Sequence, residues 1–299
     1  MVTGERDPVT GQHTTGHEWN GIKELDNRVP RIVLFFLAAT TLFAIGYWIL
    51  MPAWPLGVTY TRGLLGVDQR DTVQRSLQQA TVDRAVWTDQ FGSLSFGEIR
   101  ARPDLMKIVD EAGQTLFGDN CAVCHGTDAQ GGRGFPDLTA GAWLWGGSPE
   151  AIYETLRVGI NSTHPDTRFG QMPAFGDGVL QRADISAIVS FIRSSADGIG
   201  DIAGVDAERV DEGGRLFTEN CAACHGLEGR GNPEVGAPDL MDQSWIHGND
   251  RQVLFETIAK GRQGHMPQWA GRLSDIERRI LALYVTELSE GRQSTMVKP

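Results

Sequence analysis

Cysteine is scarce, with four in 299 residues, which rules out a disulfide-dense scaffold. Basic residues are in deficit, with 27 Lys+Arg against 38 Asp+Glu and a net charge of −11. A chain this acidic has no basic face for a phosphate backbone, so nucleic-acid binding is excluded. Tyrosine numbers only four against 37 glycines, yet hydrophobic residues reach 40%, enough for packed cores, and wholesale disorder is excluded too. The length suggests two domains. Long uncharged stretches are equally rare: one run, Ile32 to Leu50, extends for 19 residues without a charge.

As a helix that run spans about 28 Å, close to the roughly 30 Å hydrocarbon core of a bilayer. A buried core helix would show a polar stripe, and this run has none. A cleaved signal peptide has a shorter apolar stretch and a small-x-small cleavage site, whereas here about 30 residues precede the run. The segment therefore reads as a retained anchor. Lys23, Arg28 and Arg31 lie before it and only Arg62 follows closely, which predicts a cytoplasmic N-terminus and, in a bacterial chain, a periplasmic remainder. Tyr47, Trp48 and Trp54 cluster at the outer end, where amphipathic rings prefer to sit.

The expected organisation is a tail at 1–28, an anchor at 29–53, a connector at 54–107, and domains at 108–197 and 205–292. Residues 1–20 are polar and turn-rich, and are expected to be disordered. His13 and His17 lack a third ligand and carry no metal reading. In the connector, Asp68 to Gln90 spaces Val73, Leu77, Ala80 and Val86 as one modest face of a surface helix. A Gly/Asp-rich linker is expected near Ser195 to Val205.

The two domains are an internal repeat. GQTLFGDNCAVCHG at 113–126 aligns with GGRLFTENCAACHG at 213–226, with nine of 14 positions identical. Phe135-Pro136-Asp137-Leu138 through Trp143 to Gly146 then parallels Ala237-Pro238-Asp239-Leu240 through Trp245 to Gly248, at an offset of 102.

All four cysteines fall in two C-x-x-C-H motifs, Cys121/Cys124/His125 and Cys221/Cys224/His225. This is the signature of covalent c-type haem attachment, two thiols for the vinyl groups and the next His for the iron. A redox C-x-x-C needs no following His in two copies, and structural zinc would take four Cys or two Cys with two His. One haem per repeat fits best. A haem that only carries electrons takes a second axial ligand, and Met raises its potential. Met172, in GQMPAFG, and Met266, in GHMPQWAG, are the matched candidates, each paired with the His of its own repeat. His164, in an eight-residue insertion of the first repeat, is the competing ligand for the first haem. Met106 and Met241 read as core filler. Arg133, Arg157, Arg168 and Arg230 are candidate propionate partners, and Trp143 and Trp245 read as packing residues at the porphyrin edge. Ala183 to Arg193 and Ile276 to Leu288 carry helical i, i+3, i+4 spacing, so the fold class is all-α.

Each repeat resembles the class I cytochrome c domain: helix, C-x-x-C-H, loop, Met-Pro, terminal helix. Residues 21–55 resemble the N-terminal segment of the CcoP/FixP subunit of cbb3-type cytochrome c oxidase. Gly21, Ile22, Glu24, Asp26, Asn27 and Pro30 hold that family's G-I-x-E-x-D-N-x-x-P pattern. The resemblance implies an all-α chain with one transmembrane helix and two tandem class I cytochrome c domains carrying two haem c. It implies no catalytic residue on this chain, which serves as an electron-carrier subunit of a respiratory oxidase. The implied partners are the oxidase catalytic subunit, a monohaem cytochrome subunit and a soluble or anchored cytochrome c donor at the bacterial inner membrane. By position, Cys121, Cys124, Cys221 and Cys224 match the attachment points, His125 and His225 the proximal ligands, and Met172 and Met266 the distal ones. His164 stays open for the first haem. The chain beyond the anchor carries −10 of the net charge, a field that steers a basic donor or simply keeps the protein soluble. Competing classes are an anchored cytochrome for another oxidoreductase, a dihaem peroxidase and a haem gas sensor. The last two need an open or exchangeable iron site, which paired Met-Pro loops disfavour.

Overall fold

The computed structural model describes residues 5–196 and 207–291. The expected linker at Ser195 to Val205 falls almost wholly outside the described residues. The chain divides into two compact units, with the boundary between Asp83 and Arg84.

In the first unit, β1 (Thr14–Trp19) and β2 (Ile22–Leu25) form an antiparallel hairpin. This corrects the expected disorder of residues 1–20 over that stretch. Asn20 and Gly21 supply the two left-handed residues of a tight hairpin turn, at φ 50° and 84°. The Glu24 carboxylate accepts from Trp19 Nε1 at 2.9 Å and Thr15 Oγ1 at 3.1 Å, holding the two strands in register. Next, α1 (Arg31–Leu50) begins at Pro30 and buries none of its residues, as an anchor meant for lipid should. The returning chain caps its far end: Leu64 N donates to Ile49 O and Leu65 N to Leu50 O, both at 3.0 Å.

The connector helix, α2 (Gln69–Ser93), covers the expected range, but its buried face is not the one the spacing suggested. Val73, Leu77 and Val86 are exposed, whereas Phe91 is fully buried with Trp87 stacked edge-on to it at 5.8 Å. Phe91, with Phe96 and Ile99 from α3 (Phe96–Arg100), enters the core of the second unit. The end of the connector is therefore core.

The rest of the second unit is helical. Its elements are α4 (Pro103–Asn120), α5 (Ala122–His125), α6 (Pro149–Val158), α7 (Arg182–Ser195), α8 (Ala207–Asn220), α9 (Ala222–His225), α10 (Arg251–Lys260) and α11 (Asp275–Ser289). The starts of these helices are chemically marked: Pro at the first turn of α4 and α6, and the side chains of Ser148, Asp250 and Ser274 accepting backbone N–H bonds at α6, α10 and α11. At α11, Ser274 and Glu277 form a reciprocal capping box. Ser274→Ala removes it, with an expected loss of about 1 kcal/mol, or roughly 2–4 °C in thermal unfolding followed by circular dichroism.

Two separate cores form, and neither follows one repeat. The first joins α4 and α6 of repeat one to α11 of repeat two, through Leu105, Val109, Phe117, Ile152, Ile280 and Leu281. The second joins α7 of repeat one to α8 and α10 of repeat two, through Ile185, Ile188, Leu216, Phe217, Leu254 and Ile258. The terminal helices have changed places. Aromatic pairs mark both exchanges, Phe117 with Tyr284 at 5.9 Å and Phe191 with Phe217 at 5.3 Å. The expected segments 108–197 and 205–292 thus do not each close on themselves. The physical reason lies in connectivity: α7 and α8 are consecutive and joined by a short segment, and consecutive elements pack together by default. Once α7 covers α8, the face of α4 is left for α11.

Candidate haem sites

The two C-x-x-C-H motifs adopt the same local geometry. Cys121 and Cys221 sit at the start of α5 and α9 with φ of −114° and −116°. His125 N and His225 N each return a 3.0 Å bond to the carbonyl of the first Cys. Gly126 and Gly226 then turn the chain away in the left-handed region, at φ 77° and 78°. One short helical turn thus carries both thiols and the imidazole within five consecutive residues.

The histidines are pre-oriented. His125 Nδ1 lies 3.2 Å from Pro136 O and His225 Nδ1 lies 3.0 Å from Pro238 O. A ring that donates from Nδ1 to a carbonyl leaves Nε2 as the free, lone-pair-bearing nitrogen that an iron requires. Burial lowers the pKa of both rings, which keeps them neutral. The prolines belong to the repeated Pro-Asp-Leu stretch, so a signal for this orienting contact was present in the sequence.

The thiols fit attachment rather than redox exchange. Burial pushes Cys121 and Cys221 up to about 11, the reverse of the depressed pKa of a reactive C-x-x-C. Among the described residues no three His, Cys, Asp or Glu side chains converge as a structural zinc would need. The donor set of each motif, two thiols beside a neutral imidazole with free Nε2, fits a covalently held haem.

The Met-Pro loops are exchanged together with the helices that follow them. Met266 packs against the core that carries Cys121 and Trp143, and Met172 against the core that carries Cys221 and Trp245. Met266 and Ile160 exchange two backbone bonds, both 2.9 Å, and Met172 and Arg262 exchange two, at 2.8 and 3.1 Å. Each loop thereby locks onto the residue after the C-terminal glycine of α6 or α10 in the other repeat. Those glycines are obligatory: at Gly159, φ 71°, a Cβ would stand 2.5 Å from Met266 O, and at Gly261, φ 70°, 2.3 Å from Met172 O. Met266 thus lies with the core that carries Cys121, and Met172 with the core that carries Cys221. The two repeats offer the same contact residues at the same offsets, so no local signal separates an own-repeat from a crossed arrangement.

His164 lies half-buried in a self-contained turn, its Nδ1 accepting from Asp166 N at 3.0 Å. Three of the four candidate propionate arginines are engaged elsewhere. Arg157 pairs with Glu154 at 2.8 Å, Arg168 donates to Trp145 O at 2.7 Å, and Arg230 lies 3.7 Å from Asp239. Trp143 and Trp245 pack at the edges of their cores, and Trp245 Nε1 is a buried donor with no partner.

Three family models match the chain in succession. Residues 11–58 match the N-terminal domain of cytochrome oxidase-cbb3, FixP; residues 111–196 match cytochrome c; residues 208–285 match cytochrome c oxidase, cbb3-type, subunit III. Among curated proteins, the chain is 45% identical over 291 residues to the cbb3-type cytochrome c oxidase subunit FixP of Bradyrhizobium sp. (strain ORS 278), covering 96% of this chain and 98% of that one. It is 39% identical over 301 residues to subunit CcoP of Azospirillum sp. (strain B510), covering 98% and 100%, and 41% identical over 282 residues to subunit CcoP of Cereibacter sphaeroides, covering 93% and 95%.

Proposed function

The chain belongs to the FixP/CcoP family of cbb3-type cytochrome c oxidase subunits, and from that premise we propose a crossed dihaem relay in which each iron is held by residues of both repeats. The membership makes it a two-haem c electron-carrier subunit of the oxidase complex, with an N-terminal helix long and apolar enough to cross a membrane. Bound haem c supplies reversible one-electron uptake at iron.

In this reading Cys121, Cys124, His125 and Met266 hold the first haem, and Cys221, Cys224, His225 and Met172 the second. The carrying observation is the reciprocal backbone pairing of Met266 with Ile160 and Met172 with Arg262, which seats each thioether arm against the opposite repeat's core. Pro136 O and Pro238 O keep each imidazole in the tautomer that presents Nε2. His125 with Met266, and His225 with Met172, would each supply a bound haem iron with two side-chain ligands, a donor set suited to relaying electrons rather than to bond chemistry.

The functional division is a tail at 1–28, an anchor at 29–53 and a connector at 54–107 that ends inside the first haem body. The attachment sites lie in 108–197 and 205–292. The tail is cytoplasmic and the haem bodies periplasmic, on the Lys23, Arg28 and Arg31 bias. Electrons arrive from a cytochrome c donor drawn by the acidic field and leave toward the catalytic subunit by way of a monohaem cytochrome subunit. The test is purification of the tagged chain from membranes. Co-isolation of the catalytic and monohaem subunits is expected, together with its loss on deletion of residues 21–55. A chain that comes out alone, or that turns over peroxide rapidly, overturns the reading.

A further inference from the structure

The eight-residue insertion of the first repeat begins just after the seam where Gly159 and Ile160 meet the Met266 loop. Arg168 N donates back to Gly159 O at 3.2 Å and Asn161 N donates to Arg168 O at 2.8 Å, which pinches the insertion into a closed loop. Asn161 stands at the neck of that loop in the left-handed region, at φ 48°. Side chains are strained there, and asparagine is among the few that tolerate it. Such strain persists only where the surroundings hold it in place. At the offset of 102 the counterpart of Asn161 in the second repeat is Gln263, whose side chain is exposed.

The side-chain amide is what holds Asn161. Its Nδ2 donates to Gly170 O at 2.8 Å and to Gly264 O at 2.7 Å, and its Oδ1 accepts from Gly170 N at 3.2 Å. Gly170 lies two residues before Met172, and Gly264 lies two residues before Met266. One side chain of the first repeat is therefore bonded to both Met-Pro arms. The amide fits in one orientation, because reversal would set its oxygen against two carbonyls and its nitrogen against an N–H. Each arm also has its own backbone anchor, Met266 on Ile160 and Met172 on Arg262. Asn161 ties the two anchored arms to one another.

We propose that Asn161 is a positioning residue for both axial methionines, clamping the two Met-Pro arms into one unit so that neither thioether swings away alone. The proposal rests on the reading that Met172 and Met266 ligate haem iron, and it holds whichever haem each one takes. A thioether is a soft ligand, held less firmly by ferric than by ferrous iron, so an unclamped arm is lost first from the oxidised protein. Partners behind a ligand fix its orientation, and the clamp keeps both thioethers in place through each change of oxidation state.

The test is imidazole binding to the ferric dihaem chain, read at the His/Met charge-transfer band. Asn161→Gly accepts the left-handed backbone and removes all three amide bonds, and Asn161→Asp keeps the acceptor and removes both donors. In both variants imidazole displaces methionine with a roughly tenfold lower apparent Kd at both haems, as a tenfold larger open fraction requires. Chains retaining one attachment site, through Cys221→Ala/Cys224→Ala or Cys121→Ala/Cys124→Ala, show the gain in either background. Gln263→Ala leaves the affinity unchanged, and so does Ser274→Ala, although the latter lowers the unfolding temperature. Hydrogen exchange on the unsubstituted ferric chain is the second readout. The Met172 and Met266 N–H groups, each bonded across its seam, exchange in one opening event with equal protection. A ferric chain with no His/Met band overturns the ligation reading itself. With the band present, the clamp is overturned by unchanged imidazole affinity in both Asn161 variants, by a gain at one haem only, or by protection of the two amides that differs more than about tenfold.

Discussion

Met266→Gln is expected to abolish the His/Met signature of the first haem while leaving the second intact. The clean form of the experiment uses a chain retaining only the Cys121/Cys124 attachment, with Cys221→Ala and Cys224→Ala. There Met266→Gln removes the long-wavelength charge-transfer band of the ferric protein and lowers the potential sharply, because thioether ligation is what holds it high. Met172→Gln in the same background leaves the band in place. An own-repeat arrangement gives the opposite result, so the outcome is read from one spectrum per variant. His164→Ala leaves the band unchanged in either arrangement, since its Nδ1 is committed to the Asp166 turn. The physical basis is the pair of backbone bonds that fastens Met266 to Ile160, immediately after α6 of the first repeat.

The second large effect is expected where α7 crosses α8. A Cβ on Gly213 would lie 2.1 Å from Ala187 O and 2.9 Å from Phe191 Cβ. The first contact is backbone, so relief requires the two helices to separate, in the most extensive helix contact of the second unit. Gly213→Ala should cost about 3 kcal/mol, or roughly 6–12 °C in a body of this size. Gly113 is its repeat counterpart, at the crossing of α4 with α11. There the added Cβ meets Tyr284 Cβ and Cγ, both at 2.7 Å, atoms fixed to the α11 backbone that ring rotation does not carry away, so α4 and α11 must also shift apart. Gly113→Ala is expected to cost less than Gly213→Ala, because its closest approach is 2.7 Å rather than 2.1 Å. Differential scanning calorimetry of the two variants measures the ratio. Equal losses would mean that both crossings relax alike. Because α7 follows the Met172 loop, Gly213→Ala should also weaken the His/Met band of the second haem, a lesion in one repeat felt through a helix of the other.

Much of the site was legible in the residues alone. The attachment cysteines, the two histidines and the two Met-Pro loops follow from short motifs whose chemistry is local. The anchor, from Arg31 to Leu50, follows from length and lack of charge. Helices at 182–195 and 275–289 match their apolar spacing within a residue or two. Less of the periphery was readable. The Asn20-Gly21 turn was a usable hairpin signal that the polar composition of the tail hid. The burial of Phe91, Phe96 and Ile99 was invisible, because the apolar spacing of α2 runs along Val73, Leu77 and Val86, and these remain exposed.

The division between what the sequence determines and what the tertiary structure decides falls between identity and pairing. The sequence by itself supplies the two C-x-x-C-H motifs, the two Met-Pro loops and one stretch long and apolar enough to cross a membrane. Each of these depends on neighbours a few positions away. Which Met-Pro loop packs on which core was decided only in three dimensions. The two repeats present equivalent glycines, aromatics and carbonyls at equivalent offsets, so both pairings satisfy the same contacts. The tie is broken by connectivity: the short segment between α7 and α8 makes those helices neighbours, and α11 then closes on α4. The same exchange draws the two bodies into one unit and puts Asn161 of one repeat beside Gly264 of the other. No window of sequence contains both residues.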